Sequence, residues 1–263
     1  MTAVAANLPK ALAASREGDI AILRLARPDK RNALNDTLVL GLKTFMDSLP
    51  ADVKVIVLHA EGDHFSAGLD LSELTETSVV EGIEHSRMWH RILDQVEFSR
   101  VPVVSVLHGA VVGGGLEIAC ATHIRIAERS AYYALPEGTR GIFVGGSGSV
   151  RIPRLIGVAR MMDMMLTGRT YSAEEGHAHG ISQYLVDNGK GFDLGLQIAR
   201  RIAENAPMTN FAVIQALPRI AQSDPATGLL MESLVSAIAQ GDDEAKKRLK
   251  AFLEKRAPKA ARN

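Results

Sequence analysis

Three consecutive glycines followed by a glutamate form the strongest chemical signal in the sequence. Gly113, Gly114 and Gly115 come after an apolar strand-like segment, and Glu117 follows in the helix that they open. The free N–H groups at the start of a helix attract a negative oxygen, and glycine lets a carbonyl group come close because it has no β-carbon. A second carboxylate, Glu137, lies in the segment LPEGTRG. These residues predict a site that polarises a carbonyl group and transfers protons.

A second loop of the same character lies earlier in the chain. The segment HFSAGLD, residues 64–70, follows a buried strand and contains a glycine between small and apolar residues. If this loop meets the triple-glycine turn, each can give one N–H group to the same oxygen. Two such donors form an oxyanion hole, and one donor is typically worth about 3 kcal/mol in the transition state. A structural alternative stays open, in which the glycines only allow close packing of strand against helix.

Other sites built on glycine or histidine fit the sequence less well. The spacing from Gly109 is G-x-x-x-G-G-G, whereas a dinucleotide site needs G-x-G-x-x-G, and no GK[ST] indicates a P-loop. Residues 145–148 contain GSG without the G-x-S-x-G spacing of a hydrolase nucleophile. His177 and His179 are the nearest histidine pair, but no carboxylate or cysteine completes a metal-ligand spacing. A solvated helix end is the favoured interpretation of that pair.

The elements that must hold these residues alternate between strand and helix. Two short strands flank a turn at residues 16–19, and an amphipathic helix begins after Asn35 or Asp36. Apolar runs predict buried strands over 53–60 and 103–107, with a helix over about 79–96 between them and a further strand over 123–128. After Val158 helical periodicity dominates, over residues 158–166, 172–179, 191–205, 208–222, 226–239 and 242–255, with breaks at Pro207, Pro218 and Pro225. The strands are therefore expected early and the helices late.

Composition limits the kinds of partner. The 263 residues are 46% hydrophobic, which suffices for the core of one main domain. Thirty basic and thirty acidic residues cancel, so no basic field for nucleic acid is expected, and no apolar run reaches the roughly 18 residues of a membrane span. The first residues lack the pattern of a secretory signal, and the single cysteine, Cys120, is expected to be a small buried residue. We expect a cytoplasmic protein without nucleic-acid or membrane partners.

Taken together, six segments resemble the crotonase superfamily of enoyl-CoA hydratases and isomerases. In chain order they are RLARPDKRNAL, FSAGLDL, GAVVGGGLEIA, ALPEGTRGIFVGG, MMLTGR and AFLEKR. No single segment is decisive, but their order and spacing are specific. The resemblance implies an α/β spiral of repeated β-β-α units over residues 1–200, which holds an acyl-CoA site. It also implies a helical C-terminal trimerisation region over residues 201–263, and hence a homotrimer or a dimer of trimers.

The resemblance also implies roles for individual residues. The amides of Leu69 and Gly114 match the family's oxyanion hole, and Glu117 and Glu137 match the two catalytic carboxylates of the hydratases. The CoA moiety is expected near Lys30, Arg31, Ala33, Ala67 and Leu69. Either Phe252 or Lys255 would reach a ligand in a neighbouring subunit, although an ordinary amphipathic terminal helix also explains both.

The presence of both glutamates favours hydration over double-bond isomerisation, for which the second glutamate usually suffices in the family. Glu117 would deprotonate water and Glu137 would protonate C2 of a 2-enoyl-CoA, giving a 3-hydroxyacyl-CoA reversibly. Two neighbouring carboxylates titrate as a pair, so these roles can partly interchange. No metal or redox cofactor is implied, because coenzyme A is part of the substrate. The alternatives are another crotonase-type reaction (isomerase, hydrolase or hydratase-lyase) or a non-catalytic acyl-CoA-binding relative.

The chain departs from the common hydratase pattern after Gly141. It reads IFVGGSGSVRIPRL where hydratases commonly have IPGAGGTQRL, and the replacements are Val144, Ser147, Ser149 and Val150. Tyr133 and Ala134 replace a phenylalanine and a glycine. His123 stands where relatives generally have aspartate, and it is expected to be a hydrogen-bonded structural residue.

Two histidines and a tryptophan lie near the expected acyl pocket. His85 and His90 flank Trp89 on the helix predicted over residues 79–96. Helix packing is the simpler interpretation of all three. A histidine that lined the pocket would instead favour hydrolysis, aldol cleavage or dehalogenation of an acyl-CoA.

Overall fold

The computed structural model describes residues 7–73 and 78–254 of the chain. Within them the strands are β1 (Leu12–Glu17), β2 (Ile20–Leu25), β3 (Val55–Ala60), β4 (Val103–Leu107), β5 (Ala110–Val112), β6 (Ile124–Glu128), β7 (Tyr132–Ala134), β8 (Tyr171–Ser172) and β9 (Tyr184–Val186). The helices are α1 (Asp36–Asp47), α2 (Val79–Glu97), α3 (Gly114–Ala121), α4 (Gly148–Ile156), α5 (Val158–Thr167), α6 (Ala173–His179), α7 (Gly191–Ala203), α8 (Pro207–Ile220), α9 (Pro225–Gly241) and α10 (Asp243–Leu253).

The strands form two sheets. The larger sheet has the order β1-β2-β3-β4-β6-β9, with β1 and β2 antiparallel and all further pairs parallel. The smaller sheet has the order β5-β7-β8, with β5 parallel to β7 and β7 antiparallel to β8. Because β3, β4 and β6 run in parallel, the segments that leave β3 and β4 emerge at the same sheet edge. The two loops singled out by sequence are these segments.

Both faces of the larger sheet are covered, which explains its nearly continuous apolar strands. Alternate residues such as Leu23, Ile56 and Leu58 face the main core with α1, α2 and α3. The intervening residues, such as Ile22 and Val57, pack against α7 on the opposite face. The alternation of side chains along each strand therefore decides which residues face the main core and which face α7.

Side-chain caps define where the helices near the site begin. The side chain of Asn35 accepts a hydrogen bond from the N–H of Leu38 and starts α1. Ser78 and Glu81 form a reciprocal capping box at the start of α2. These starts confirm the sequence predictions for both helices.

The predicted order of strands early and helices late is wrong in detail. Strand β9 joins the larger sheet after α6, and β5, β7 and α4 lie in segments for which no strand or helix was expected. Strand β8 ends on Ser172, the first residue of the helix predicted over 172–179, and α6 begins one residue later. Pro218 was expected to break a helix but lies inside α8, which continues to Ile220. It lies in the last turn, where the missing N–H removes one hydrogen bond to Ile214 and the next turn still closes, since Ala221 bonds to Leu217.

The last three helices lie largely outside the two cores. The side chain of Gln215 on α8 donates to the carbonyl groups of Phe98 and Ser99, at 2.7 and 3.1 Å. On α9 only Gly228 is buried, whereas apolar residues of α9 and α10 are exposed, namely Leu229, Leu230, Leu234, Ile238, Leu249, Phe252 and Leu253. Across residues 7–73 and 78–254, no helix combines the length and apolar character needed to cross a membrane.

Candidate active site

Glu117 lies in the first turns of α3 and is 4% exposed. One carboxylate oxygen, Oε1, accepts hydrogen bonds from the N–H groups of Gly146 and Gly148, at 2.9 and 2.7 Å. Gly146 lies in the loop that leads into α4, and Gly148 is the first residue of that helix. Glycine is required there, because a β-carbon at Gly146 would lie 2.8 Å from Oε2 of Glu117. The glycine-rich loop therefore holds the carboxylate rather than a phosphate group.

Ser147 separates these two glycines and has an unusual backbone conformation. Its φ angle is +80°, in the left-handed region that favours glycine. The Ser147 hydroxyl accepts a hydrogen bond from the guanidinium group of Arg151, a buried residue. Arg151 also donates to Asp94 at 2.5 Å and to Glu97 at 2.6 Å, both on α2. The loop that holds Glu117 is thus fastened to α2 through one arginine.

Glu137 follows β7 and is also buried. Among the described residues its Oε2 atom has no hydrogen-bond partner. Gly113, with a φ angle of +51°, allows the carboxylate to come close, since a β-carbon there would lie 2.6 Å from Oε1 of Glu137. Gly113 also donates its N–H to the carbonyl of Ala134 at 2.9 Å. The triple-glycine turn therefore leaves room for Glu137 and opens the helix that contains Glu117.

Burial shifts both glutamates toward the protonated form. It raises the pKa of Glu117 to about 7, because the two N–H donors offset only part of the cost of burying the charge and the charge of Glu137 adds to that cost. Burial also raises the pKa of Glu137. At neutral pH the pair can therefore hold a proton on one carboxylate and a charge on the other.

The raised pKa of Glu117 predicts a stability effect with a definite sign. Between its unfolded value of 4.5 and about 7, the folded state binds a proton that the unfolded state releases, so stability falls as pH rises through this window. Glutamine cannot titrate. From pH 4 to pH 8, we therefore expect the difference in unfolding free energy between Glu117→Gln and the wild type to shift by about 3 kcal/mol in favour of the variant. Urea unfolding at both pH values measures this difference. A difference that does not change with pH would contradict the assignment.

The two glycine loops meet through backbone hydrogen bonds. The N–H of Ser66 donates to Ala110 at 2.8 Å, and the N–H of Val112 donates to Ser66 at 3.1 Å. Gly68 has a φ angle of +88°, and a β-carbon there would lie 2.7 Å from the carbonyl oxygen of Val112. This contact leaves no room for a larger residue at position 68.

The amides of Leu69 and Gly114 are available at this junction. Leu34 bonds to both neighbours of Leu69, donating to Gly68 and accepting from Asp70, both at 2.8 Å, so the N–H of Leu69 points away from that pairing. Gly114 is the first residue of α3, where an N–H has no partner within the helix. Within the described residues neither N–H donates to a backbone carbonyl.

One cavity of about 160 Å³ collects the four residues that the sequence singled out. Its lining consists of Leu69, His85, Ser86, Trp89, Gly114, Glu117, Glu137, Ile142, Phe143, Gly145 and Gly146. The residues that carry the two amides and the two buried carboxylates thus line a small, mainly apolar space. The arrangement can polarise a carbonyl group while a proton is added or removed nearby.

The residues expected to bind CoA lie on two adjoining loops. Lys30 and Arg31 are exposed after β2, and the carbonyl of Arg31 accepts a hydrogen bond from Ala67 at 3.0 Å. Ala33 precedes the contact between Leu34 and the Gly68 loop. The structure therefore pairs the loop of Arg31 and Ala33 with the loop of Ala67 and Leu69. Phe252 is exposed on α10, and Lys255 lies outside the described residues.

His85 and Trp89 line the cavity, whereas His90 does not. Both cavity residues bond to Oδ1 of Asp36, His85 through Nε2 at 2.7 Å and Trp89 through Nε1 at 3.3 Å. Both residues therefore take part in the packing of α2 against α1, as expected, and in addition they line the cavity. Sequence reasoning missed Asp36, which it treated only as a helix start, and Ser86, for which the sequence carries no signal.

His123 has the structural role that the sequence predicted. Its ring accepts from the N–H of Val103 through Nδ1 and donates to the carbonyl of Glu97 through Nε2, both at 2.9 Å. Burial lowers the pKa of His123 to about 4. Cys120 is buried as expected, and burial raises the pKa of its thiol to about 11.

The histidine pair on α6 has separate partners. His177 bonds to the carbonyl of Ser182 at 3.0 Å, and the His179 ring lies 5.2 Å from the Tyr171 ring, centre to centre. In residues 7–73 and 78–254, no three side chains of the usual metal-ligating types cluster together.

Comparison with known proteins identifies the family. The sequence model of the enoyl-CoA hydratase/isomerase family matches residues 15–262. A short-chain-enoyl-CoA hydratase of Clostridium acetobutylicum is 30% identical over 251 residues, which cover 94% of this chain and 96% of that protein.

Solved structures show the same fold. One from Rhodopseudomonas palustris, provisionally named an enoyl-CoA hydratase, is 58% identical with a TM-score of 0.92, and the match covers 97% of this chain and 98% of that one. An enoyl-CoA hydratase from Bacillus anthracis is 30% identical with a TM-score of 0.88, over 95% and 98% of the two chains. The chain therefore has the crotonase fold and belongs to the enoyl-CoA hydratase/isomerase family.

Proposed function

We propose that the protein hydrates the 2,3 double bond of an enoyl-CoA. The observation that carries this proposal is the single cavity lined by Glu117, Glu137, Leu69 and Gly114. The names of its relatives support the same reaction class.

In this mechanism the thioester oxygen accepts hydrogen bonds from the N–H groups of Leu69 and Gly114. Glu117, as carboxylate, takes a proton from water while the water oxygen forms a bond to C3. The electrons of the double bond move toward the thioester oxygen, where the two donors stabilise the developing negative charge. Glu137 then gives a proton to C2, which completes the 3-hydroxyacyl-CoA. Passage of one proton from Glu117 to Glu137 restores the starting state.

The surroundings of the two glutamates differ. Two N–H groups point at Glu117 and favour its ionised form, whereas Oε2 of Glu137 has no hydrogen-bond partner among the described residues. Burial raises the pKa of both carboxyl groups, so the pair can share one proton near neutral pH. The proposal assigns the base to Glu117, whose two N–H donors support a charge, and the acid to Glu137, and these roles can partly interchange.

A crotonyl-CoA assay tests the function directly. We expect loss of the enoyl-thioester absorbance and formation of 3-hydroxybutyryl-CoA in the presence of the wild-type protein. Thermal stabilisation by CoA and acetyl-CoA, measured in parallel, reports binding alone. Binding without turnover of crotonyl-CoA or any other enoyl-CoA would overturn the proposal and favour a non-catalytic acyl-CoA-binding protein.

Thioester hydrolysis is a second candidate because of the His85–Asp36 pair. A histidine oriented by a carboxylate and facing the cavity can act as a base toward water. Hydrolysis releases a free thiol, whereas hydration leaves the thioester intact. Titration of thiols in the same assay therefore separates the two reactions.

We propose that CoA binds near Lys30, Arg31, Ala33, Ala67 and Leu69, where the two exposed cations suit its phosphate groups.

We also propose assembly as a homotrimer or a dimer of trimers through α9 and α10. The exposed apolar residues of these helices, including Leu234 and Phe252, support an interface between subunits. Sedimentation equilibrium would test it, and the mass of one chain would contradict it.

A further inference from the structure

Trp89 forms part of the cavity wall, next to the backbone of Gly114 and Gly146. It is 4% exposed and projects from α2 toward the two glycine loops. A β-carbon on Gly114 would lie 3.3 Å from its Cζ3 atom, and one on Gly146 would lie 3.1 Å from its Cε3 atom. The indole ring therefore contacts the backbone that would polarise the thioester and the backbone that holds Glu117.

The indole ring is fixed from two helices. Its Nε1 atom donates to Oδ1 of Asp36, which lies in the first turn of α1. His85, one turn earlier on α2, bonds to the same oxygen at 2.7 Å. Rotation of the ring away from the cavity would break its hydrogen bond and leave the space between α1 and α2 unfilled. The ring is therefore a fixed wall.

The remaining cavity is small. Its volume of about 160 Å³ is well below the roughly 300 Å³ at the lower end for drug-sized ligands. Ile142 and Phe143, which also line the cavity, are 43% and 69% exposed, whereas Trp89 is buried. Because the ring of Trp89 packs close to Gly114, an acyl group whose carbonyl binds at Leu69 and Gly114 would lie near this ring.

We propose that Trp89, held by Asp36, is the residue that restricts this site to short acyl chains. This inference rests on the proposed enoyl-CoA hydration. Its chemical basis is steric, because a longer chain must displace a packed indole ring whose N–H is already bonded. Discrimination of a hydrophobic pocket against one added methylene is typically about 10- to 200-fold.

The test compares crotonyl-CoA, 2-octenoyl-CoA and 2-dodecenoyl-CoA with four proteins, the wild type, Trp89→Leu, Trp89→Phe and Arg91→Ala. The measured quantity is the ratio of kcat/KM for octenoyl-CoA to that for crotonyl-CoA, in which a general loss of activity cancels. We expect the wild type to prefer crotonyl-CoA by about tenfold or more, and Trp89→Leu to raise the ratio by about tenfold or more. Trp89→Phe keeps a flat ring and should shift the ratio less. Arg91 is exposed on the same helix, so its variant should keep the wild-type ratio.

Calorimetry with saturated butyryl-CoA and octanoyl-CoA measures chain-length selection without any reaction. We expect the wild type to bind butyryl-CoA more tightly and the Trp89→Leu variant to lose this preference. Wild-type protein that accepts all three enoyl chains equally would overturn the inference, as would an unchanged ratio in a folded Trp89→Leu protein. If no enoyl-CoA is hydrated but calorimetry shows the expected preference, the proposed reaction fails while the inference about Trp89 holds.

Discussion

Crotonyl-CoA hydration by the Glu117→Gln variant is expected to be about 10²- to 10⁴-fold slower than by the wild type, the usual range for loss of a general acid or base. The amide of glutamine has the shape of the carboxylate, and its oxygen can still accept from Gly146 and Gly148. Geometry is therefore retained while the ability to take a proton from water is lost. Steady-state kinetics measure the rate, and the Kd for acetyl-CoA should stay close to that of the wild type.

Glu137→Gln should show a loss of similar size, since it removes the proton donor. Because the two glutamates act as a unit, the double variant should lose much less than the product of the two single losses. The matched control is Glu128→Gln. Glu128 is a buried glutamate that likewise accepts from a backbone N–H, that of Gly191 at 3.0 Å, but it lies away from the cavity. If both site variants stayed within tenfold of the wild type, the two-glutamate mechanism would be wrong.

Gly68→Ala is expected to reduce kcat by about 10²- to 10³-fold, the typical effect of losing one oxyanion donor. The added methyl group would lie 2.7 Å from the carbonyl oxygen of Val112, and the backbone φ of +88° is unfavourable for alanine. The loop must then move away from the Gly113–Gly115 turn. This movement takes the N–H of Leu69 out of line with that of Gly114. The rate with crotonyl-CoA is measured on protein whose circular dichroism matches the wild type.

The Gly18→Ala variant is the control. It has the backbone strain of Gly68→Ala without the collision of the added methyl group with a neighbouring atom. Gly18 lies in the turn between β1 and β2, with a φ angle of +59° and no atom within 4 Å of an added β-carbon. We expect this variant to lose about 1 kcal/mol of stability and to keep its activity. Full activity in a correctly folded Gly68→Ala protein would disprove the role of this loop as an oxyanion donor.

The sequence predicted most of the main elements, and local signals explain why. Asn35 and Ser78 are helix caps whose effect depends only on neighbouring residues. The apolar runs of β3 and β4 follow from burial on both faces of a sheet. By contrast, β7 and β8 have three and two residues, too few for any periodicity to be visible. Their pairing depends on contacts between distant parts of the chain.

The candidate site was predictable to a similar degree. Leu69, Gly114, Glu117 and Glu137 were identified from motifs, and the structure places them around one cavity. Their catalytic roles stay predictions. The position of Trp89 in the cavity wall was not predictable, because its hydrogen bond to Asp36 joins residues 53 positions apart. Such a contact is set by how α1 packs on α2, and no local pattern encodes it.

The attachment of Arg151 to α2 has a consequence for how such an enzyme can change. Asp94 and Glu97 hold this arginine, and through Ser147 it supports the loop around Glu117. The same helix carries Trp89, the proposed wall of the acyl pocket. With the roles proposed above for Trp89 and Glu117, a substitution that shifts α2 to admit a larger substrate is expected to slow proton transfer as well. Substrate range and turnover are then coupled through one helix, and we expect a variant of broader range to need compensating changes in residues 144–151.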